Sequence, residues 1–88
     1  MSKVISTPNA PAAIGPYSQA IVSGSLVFTS GQIAITPATQ RVEATTIEAQ
    51  TEQVMKNLKA ILEEAGSSMD RVIKTTCFLA NIEDFAVF

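Results

Sequence analysis

With 88 residues, 47% of them hydrophobic, the chain makes one small domain whose core is limited by its surface, because short chains bury a lower fraction of their area on folding. Six basic against eight acidic residues give a formal net charge of -2 and a pI near 4.9, so no overall positive field draws phosphate backbones and nucleic acid is not an expected partner. Histidine is absent and Cys77 is the single cysteine, which excludes a disulfide framework, a Cys/His zinc site and any Ser-His or Cys-His nucleophile pair.

A lone cysteine points to a reducing compartment. Met1-Ser2-Lys3-Val4-Ile5 runs directly into Ser6, Thr7 and Pro8, and no stretch has the length of a signal or membrane segment. The expectation is a soluble cytoplasmic protein with no membrane partner.

Lys3 to Ser6 reads as a short strand. Pro8, Pro11, Gly15 and Pro16 then punctuate a loop that cannot join a regular ladder, and this loop delivers Tyr17 just after a Gly-Pro turn in which Pro16 fixes its own φ. Ala20-Ile21-Val22 and Leu26-Val27-Phe28-Thr29 are β-branched and aromatic, with Ser23-Gly24-Ser25 between them as the turn of a two-strand meander. The second of these strands ends in Ser30-Gly31, a hydroxyl beside an unobstructed backbone N–H, which suits a small anion. Ile33 to Ile35 prolongs the apolar run, and Pro37, Ala38, Thr39 and Gln40 make a polar crossing to the next element.

A long helix follows. Thr45 and Glu48 match the capping box, in which hydroxyl and carboxylate each satisfy a backbone N–H of the first turn. Ile47, Val54, Leu58, Ile61, Leu62 and Ala65 fall on one stripe, Glu52, Lys56, Lys59 and Glu63 face water, and Gly66 ends the helix. Val72 to Leu79, rich in Val, Ile, Thr, Phe and Leu, is the plainest strand by composition, with Cys77 on it as a small buried hydrophobe. Asn81 caps a second helix whose first turn holds Glu83 and Asp84, and the sequence stops at Phe88. So short a capped amphipathic start cannot stand alone, and the expectation is that a C-terminal part is missing.

Ile14-Gly15-Pro16-Tyr17-Ser18-Gln19-Ala20 and Phe28-Thr29-Ser30-Gly31-Gln32, together with Asn57-Leu58, Val72-Ile73-Lys74-Thr75-Thr76 and Asp84-Phe85, resemble the RidA (YjgF/YER057c/UK114) family across essentially all 88 residues. The resemblance implies a single truncated domain over residues 1–88 with a chorismate-mutase-like α+β fold, a sheet with helices packed on one face. It further implies a homotrimer with clefts between subunits, and hydrolysis of reactive 2-imino acids and their enamine tautomers to 2-keto acids and ammonia, with neither cofactor nor metal. Carried over residue by residue, Tyr17 matches the family's cleft tyrosine as candidate catalytic group, and Ser30 with Gly31 matches the substrate-binding wall. The family's carboxylate-binding arginine and water-positioning glutamate have no counterpart here, since neither Arg41 nor Arg71 occupies the arginine's place. The 88 residues alone are therefore expected to hydrolyse imines poorly. Two other classes stay open: a non-catalytic protein that binds ligands or partners, and a translation inhibitor with endoribonuclease activity, which the acidic balance opposes.

Overall fold

A computed structural model of the chain describes residues 2–88. Three strands, β1 (Ser2–Ile5), β2 (Ala20–Ser23) and β3 (Leu26–Thr29), form an antiparallel sheet in the order β1-β2-β3. The hairpin loop is Gly24-Ser25, with Ser23 opposite Leu26 and Gly24 at φ 58°, a left-handed conformation that glycine adopts without strain. The expected two-strand meander gains a third member because β1 pairs with β2 from Ser2↔Ser23 to Ile5↔Ala20. Register then decides which side chains meet. Ile5, Ala20, Val22 and Val27 share the inner face, and Val4, Ile21, Leu26 and Phe28 share the outer one, since side chains alternate along a strand and directly opposed residues point the same way.

The inner face is covered by α1 (Ile47–Glu64). Ile61, fully buried, packs with Ile5, Ala10 and Ala20, and Val22, Val27, Ala60 and Ala65 surround this cluster. Glu52, Lys56, Lys59 and Glu63 are exposed, as the stripe requires. The cap lies one residue later than the sequence suggests: Thr46 Oγ1 accepts from the Ala49 N–H at 3.2 Å. Position N3 is thus Ala49, so Glu48 sits too early to return the bond and no capping box closes. We expect Thr46→Ala to cost about 1 kcal/mol in denaturant unfolding, and Thr45→Ala to stay within about 0.5 kcal/mol of wild type. A larger loss from Thr45→Ala than from Thr46→Ala would place the cap at Thr45 instead.

At its other end α1 finishes in a Schellman arrangement. Gly66 at φ 83° donates to Glu63 O at 3.0 Å, and Ser67 donates to Leu62 O at 2.8 Å.

Residues 37–40 are a tight hairpin and not a crossing. β4 (Ile35–Thr36) pairs with β5 (Arg41–Val42), and Gln40 takes φ 58° at the turn while its Nε2 donates to Pro37 O at 2.7 Å. A second correction concerns residues 72–79, which form no ladder; all but the half-buried Leu79 are exposed, Cys77 included. Composition favours a strand there, but a strand exists only when a neighbour accepts and donates its backbone hydrogen bonds, and none is paired with it among the described residues. Beyond it, Asn81 caps as expected, its side chain accepting from the Glu83 N–H at 3.0 Å. The turn it starts, Ile82–Phe85, is a single 3-10 turn that buries nothing, so one helix and not two covers the sheet.

Candidate functional site

Tyr17 is presented by a three-residue turn centred on Pro16, in which the Tyr17 N–H donates to Gly15 O at 2.8 Å. Proline's fixed φ suits that turn, so the phenol's direction is set by the backbone. The ring lies over Gly15, where an added Cβ would meet it at 3.6 Å, and the side chain is 47% exposed. Its hydroxyl makes one long contact, accepting from the Ile14 N–H at 3.4 Å.

Ser30 directly follows β3. Its N–H and its hydroxyl both donate to Gln19 O, at 2.9 and 3.2 Å, and the hydroxyl also accepts from Gln32 Nε2 at 3.3 Å. The Ser30 proton is thus already directed inward, and a ligand must compete with a carbonyl for it. Gly31 beside it is exposed with open space where a side chain would stand, leaving its backbone approachable.

The register brings these groups to one end of the sheet. Ala20 pairs with Thr29, so Gln19 and Ser30 flank that last rung, and Tyr17 precedes Gln19 by two residues, a reach of about 7 Å at most. Tyr17, Ser30 and Gly31 share a neighbourhood but make no direct hydrogen bond to one another among the described residues.

Two residues singled out in the sequence only within the family motifs are buried carboxamides: Gln19 fastens this neighbourhood, and Asn57 fastens residues 33–35 beyond it. Gln19 is buried at 3% exposure; its Oε1 accepts from the Thr7 N–H at 2.6 Å, and its Nε2 donates to Thr7 O at 3.1 Å, Ala10 O at 3.4 Å and Pro11 O at 2.7 Å. Asn57 is wholly buried on α1; its Nδ2 donates to Ile33 O at 3.2 Å and Ile35 O at 2.9 Å, while its Oδ1 accepts from Gln53 Nε2 at 2.9 Å. Asn57 carried a usable signal, being a polar residue three after Val54 and four before Ile61 on the apolar stripe. Gln19 carried none, because a buried amide looks in sequence like any loop glutamine.

Two open concavities lie elsewhere. An open groove of about 450 Å³ is bounded by Thr7, Asn9 and the Lys56, Lys59, Ala60, Glu63 and Glu64 side of α1, and a smaller one of about 330 Å³ lies between Thr36, Glu43 and Glu52. Neither includes Tyr17, Ser30 or Gly31. Among the described residues no three metal-ligating side chains converge, and no helix is long and apolar enough to cross a membrane.

Comparison with known proteins decides the relationship. The family described as "Endoribonuclease L-PSP" matches residues 7–88. The chain belongs to this family, the family of RidA. A 2-iminobutanoate/2-iminopropanoate deaminase from Salmonella typhimurium is 51% identical over 86 residues, covering 98% of this chain and 66% of that protein. A Lactococcus lactis protein that carries, provisionally, a regulator's name, AldR, is 57% identical over 86 residues, covering 98% of this chain and 68% of that one. Among solved structures, the Rid-family protein YyfA of Yersinia pestis superposes with a TM-score of 0.96 at 47% identity, over 99% of this chain and 69% of that one. The chain thus spans about two thirds of the length of the RidA relatives it matches, and its α+β fold is the chorismate-mutase-like fold of that family.

Proposed function

We propose that this RidA-family protein hydrolyses reactive 2-imino acids and enamines, 2-iminobutanoate and 2-iminopropanoate among them, to 2-keto acids and ammonia. The observation that carries the reading is the 51% identity to a deaminase of that name over nearly the whole chain. The chemistry asks little of the protein. An imine carbon is already electrophilic, so water adds to it, the nitrogen is protonated, and the carbinolamine expels ammonia as the carbonyl forms. A site need only orient the substrate, place one water and manage those protons. Tyr17 offers an accessible phenol at the right end of the sheet for proton management, and the Gly31 backbone beside Ser30 offers an approachable wall for the substrate.

A cleft completed by a neighbouring subunit fits the bare outer face of the sheet, where Val4, Leu26 and Phe28 are exposed together. Three such sheets meeting face to face give a homotrimer. An RNA-cleaving role, the activity in the family's description, gains no support from a surface with six basic residues and net charge -2.

The test couples a threonine dehydratase to 2-keto acid formation in the presence of the protein as its cell produces it. Faster keto-acid release than with dehydratase alone is expected, with Tyr17→Phe lowering kcat/KM by about a hundredfold or more. Residues 1–88 alone should give a small fraction of that rate. No acceleration by the natively produced protein removes the deaminase reading and leaves ligand binding without turnover.

A further inference from the structure

We infer that Gln19 is a positioning residue for this site: its buried carboxamide and its own carbonyl set the Tyr17 loop and the Ser30-Gly31 wall in one frame. The inference rests on the deaminase reading for its functional consequence and on the hydrogen bonds alone for its structural one. A glutamine side chain offers two donors and one acceptor oxygen, and here all are used: Oε1 takes the Thr7 N–H while Nε2 is shared among the Thr7, Ala10 and Pro11 carbonyls. These bonds fasten the start of the loop whose far end presents Tyr17. The backbone carbonyl of the same residue accepts both the N–H and the hydroxyl of Ser30. Loop and wall are therefore referenced to a single residue, two positions from the phenol and directly against the serine.

No other side chain in the described structure does this. Asn57 ties α1 to residues 33–35, on the far side of Gly31, and reaches nothing in the loop. Loops carry their backbone polar groups at the surface unless something inside satisfies them, so Thr7 and Pro11, both buried, depend on the carboxamide for their place. A displacement on the order of 1 Å in a catalytic group costs about a hundredfold in rate, which makes such fastening a determinant of turnover and not only of stability.

The experiment reads Tyr17 directly, because it is the only tyrosine and there is no tryptophan, so tyrosine emission reports this one side chain. In the 88-residue chain, Gln19→Leu removes the fastening, and Gln19→Glu makes it depend on protonation. Thr7, Ala10, Pro11 and Ser30 surround the position and none of them titrates, so a pH response seen in Gln19→Glu and absent from wild type belongs to the introduced carboxyl. Facing three carbonyls, that carboxyl holds its proton to higher pH than a free glutamate does. Protonated, it accepts from Thr7 and donates to Pro11; ionised, it repels all three carbonyls. Order is thus retained at low pH and lost as pH rises through the folded-state value.

Expected are lower emission anisotropy and readier acrylamide quenching of Tyr17 in Gln19→Leu, with Gln19→Glu resembling wild type at low pH and the leucine variant at high pH. Should Gln19→Leu fail to fold, the two ends of the Gln19→Glu titration, compared at constant helical circular dichroism, decide alone. Tyr17 emission that ignores pH in Gln19→Glu while overall stability falls overturns the inference, leaving Gln19 a structural residue only. In the natively produced protein, kcat/KM for imine hydrolysis should fall by about ten- to a hundredfold in Gln19→Leu. A Tyr17 response without any wild-type hydrolysis upholds the positioning role and removes the deaminase reading.

Discussion

Ile61→Ala lowers the stability of this fold by about 3–4 kcal/mol, read from denaturant midpoints followed by helical circular dichroism. Ile61 has no accessible surface and stands at the centre of a cluster made otherwise of Ile5, Ala10 and Ala20. With two alanines already lining it, that cluster has few large side chains able to shift into the space left behind, so the lost transfer free energy is joined by a cavity cost. Domains of this size hold about 4–13 kcal/mol in total, so the variant retains a fraction of its margin at best. The control is Ile73→Ala, where an isoleucine 85% exposed is truncated in the same way and the change stays within about 0.5 kcal/mol. Comparable losses at both positions would mean that α1 does not form the core with the sheet.

The second large effect belongs to Asn57. Leucine shares its branching but is bulkier, and Asn57→Leu strips a partner from the Ile35 carbonyl and from Gln53 Nε2, while the Ile33 carbonyl keeps the Ile35 N–H. Each stranded polar group costs about 1–3 kcal/mol, and the apolar side chain returns at most about 2 kcal/mol by its own burial. A net loss of about 2 kcal/mol is expected. Asn57→Asp separates the hydrogen-bonding explanation from a purely steric one. An ionised carboxylate facing two carbonyls is disfavoured, so the folded-state pKa of the introduced group lies above its unfolded value. The penalty is then absent below the unfolded value, grows as pH rises, and reaches its full size above the folded one. A pH-independent loss in Asn57→Asp contradicts the hydrogen-bonding explanation.

Sequence reasoning succeeded where the physics is local. Ser23-Gly24-Ser25 announces a reversal because only a turn wants a glycine between β-branched runs, and the α1 stripe is visible because burial repeats with the helical period. It failed where structure depends on a partner. Residues 72–79 have the side chains of a strand, and side-chain type says what fits a pleated surface without saying whether a neighbouring backbone is there to pair. The β4–β5 hairpin was hidden because Gln40 adopts a left-handed conformation that glycine or asparagine usually signals, supported by its own side chain reaching Pro37 O. At the site, Tyr17 and the Ser30-Gly31 pair were legible as chemistry, while the carboxamide of Gln19 was not and Asn57 showed only as a polar residue on an apolar stripe. Their burial is a property of distant segments brought together, and nothing in a glutamine's immediate neighbours records it.

The span of the Gln19 bonds also governs timing during synthesis. Thr7, Ala10, Pro11, Gln19 and Ser30 all lie within the first 30 residues, whereas Asn57 must close on carbonyls 22 and 24 positions earlier. Chains emerge from the ribosome N-terminus first, and shorter closures cost less entropy. The tyrosine loop and serine wall can therefore meet on a nascent chain before α1 has emerged, and the helix then docks onto a surface already arranged.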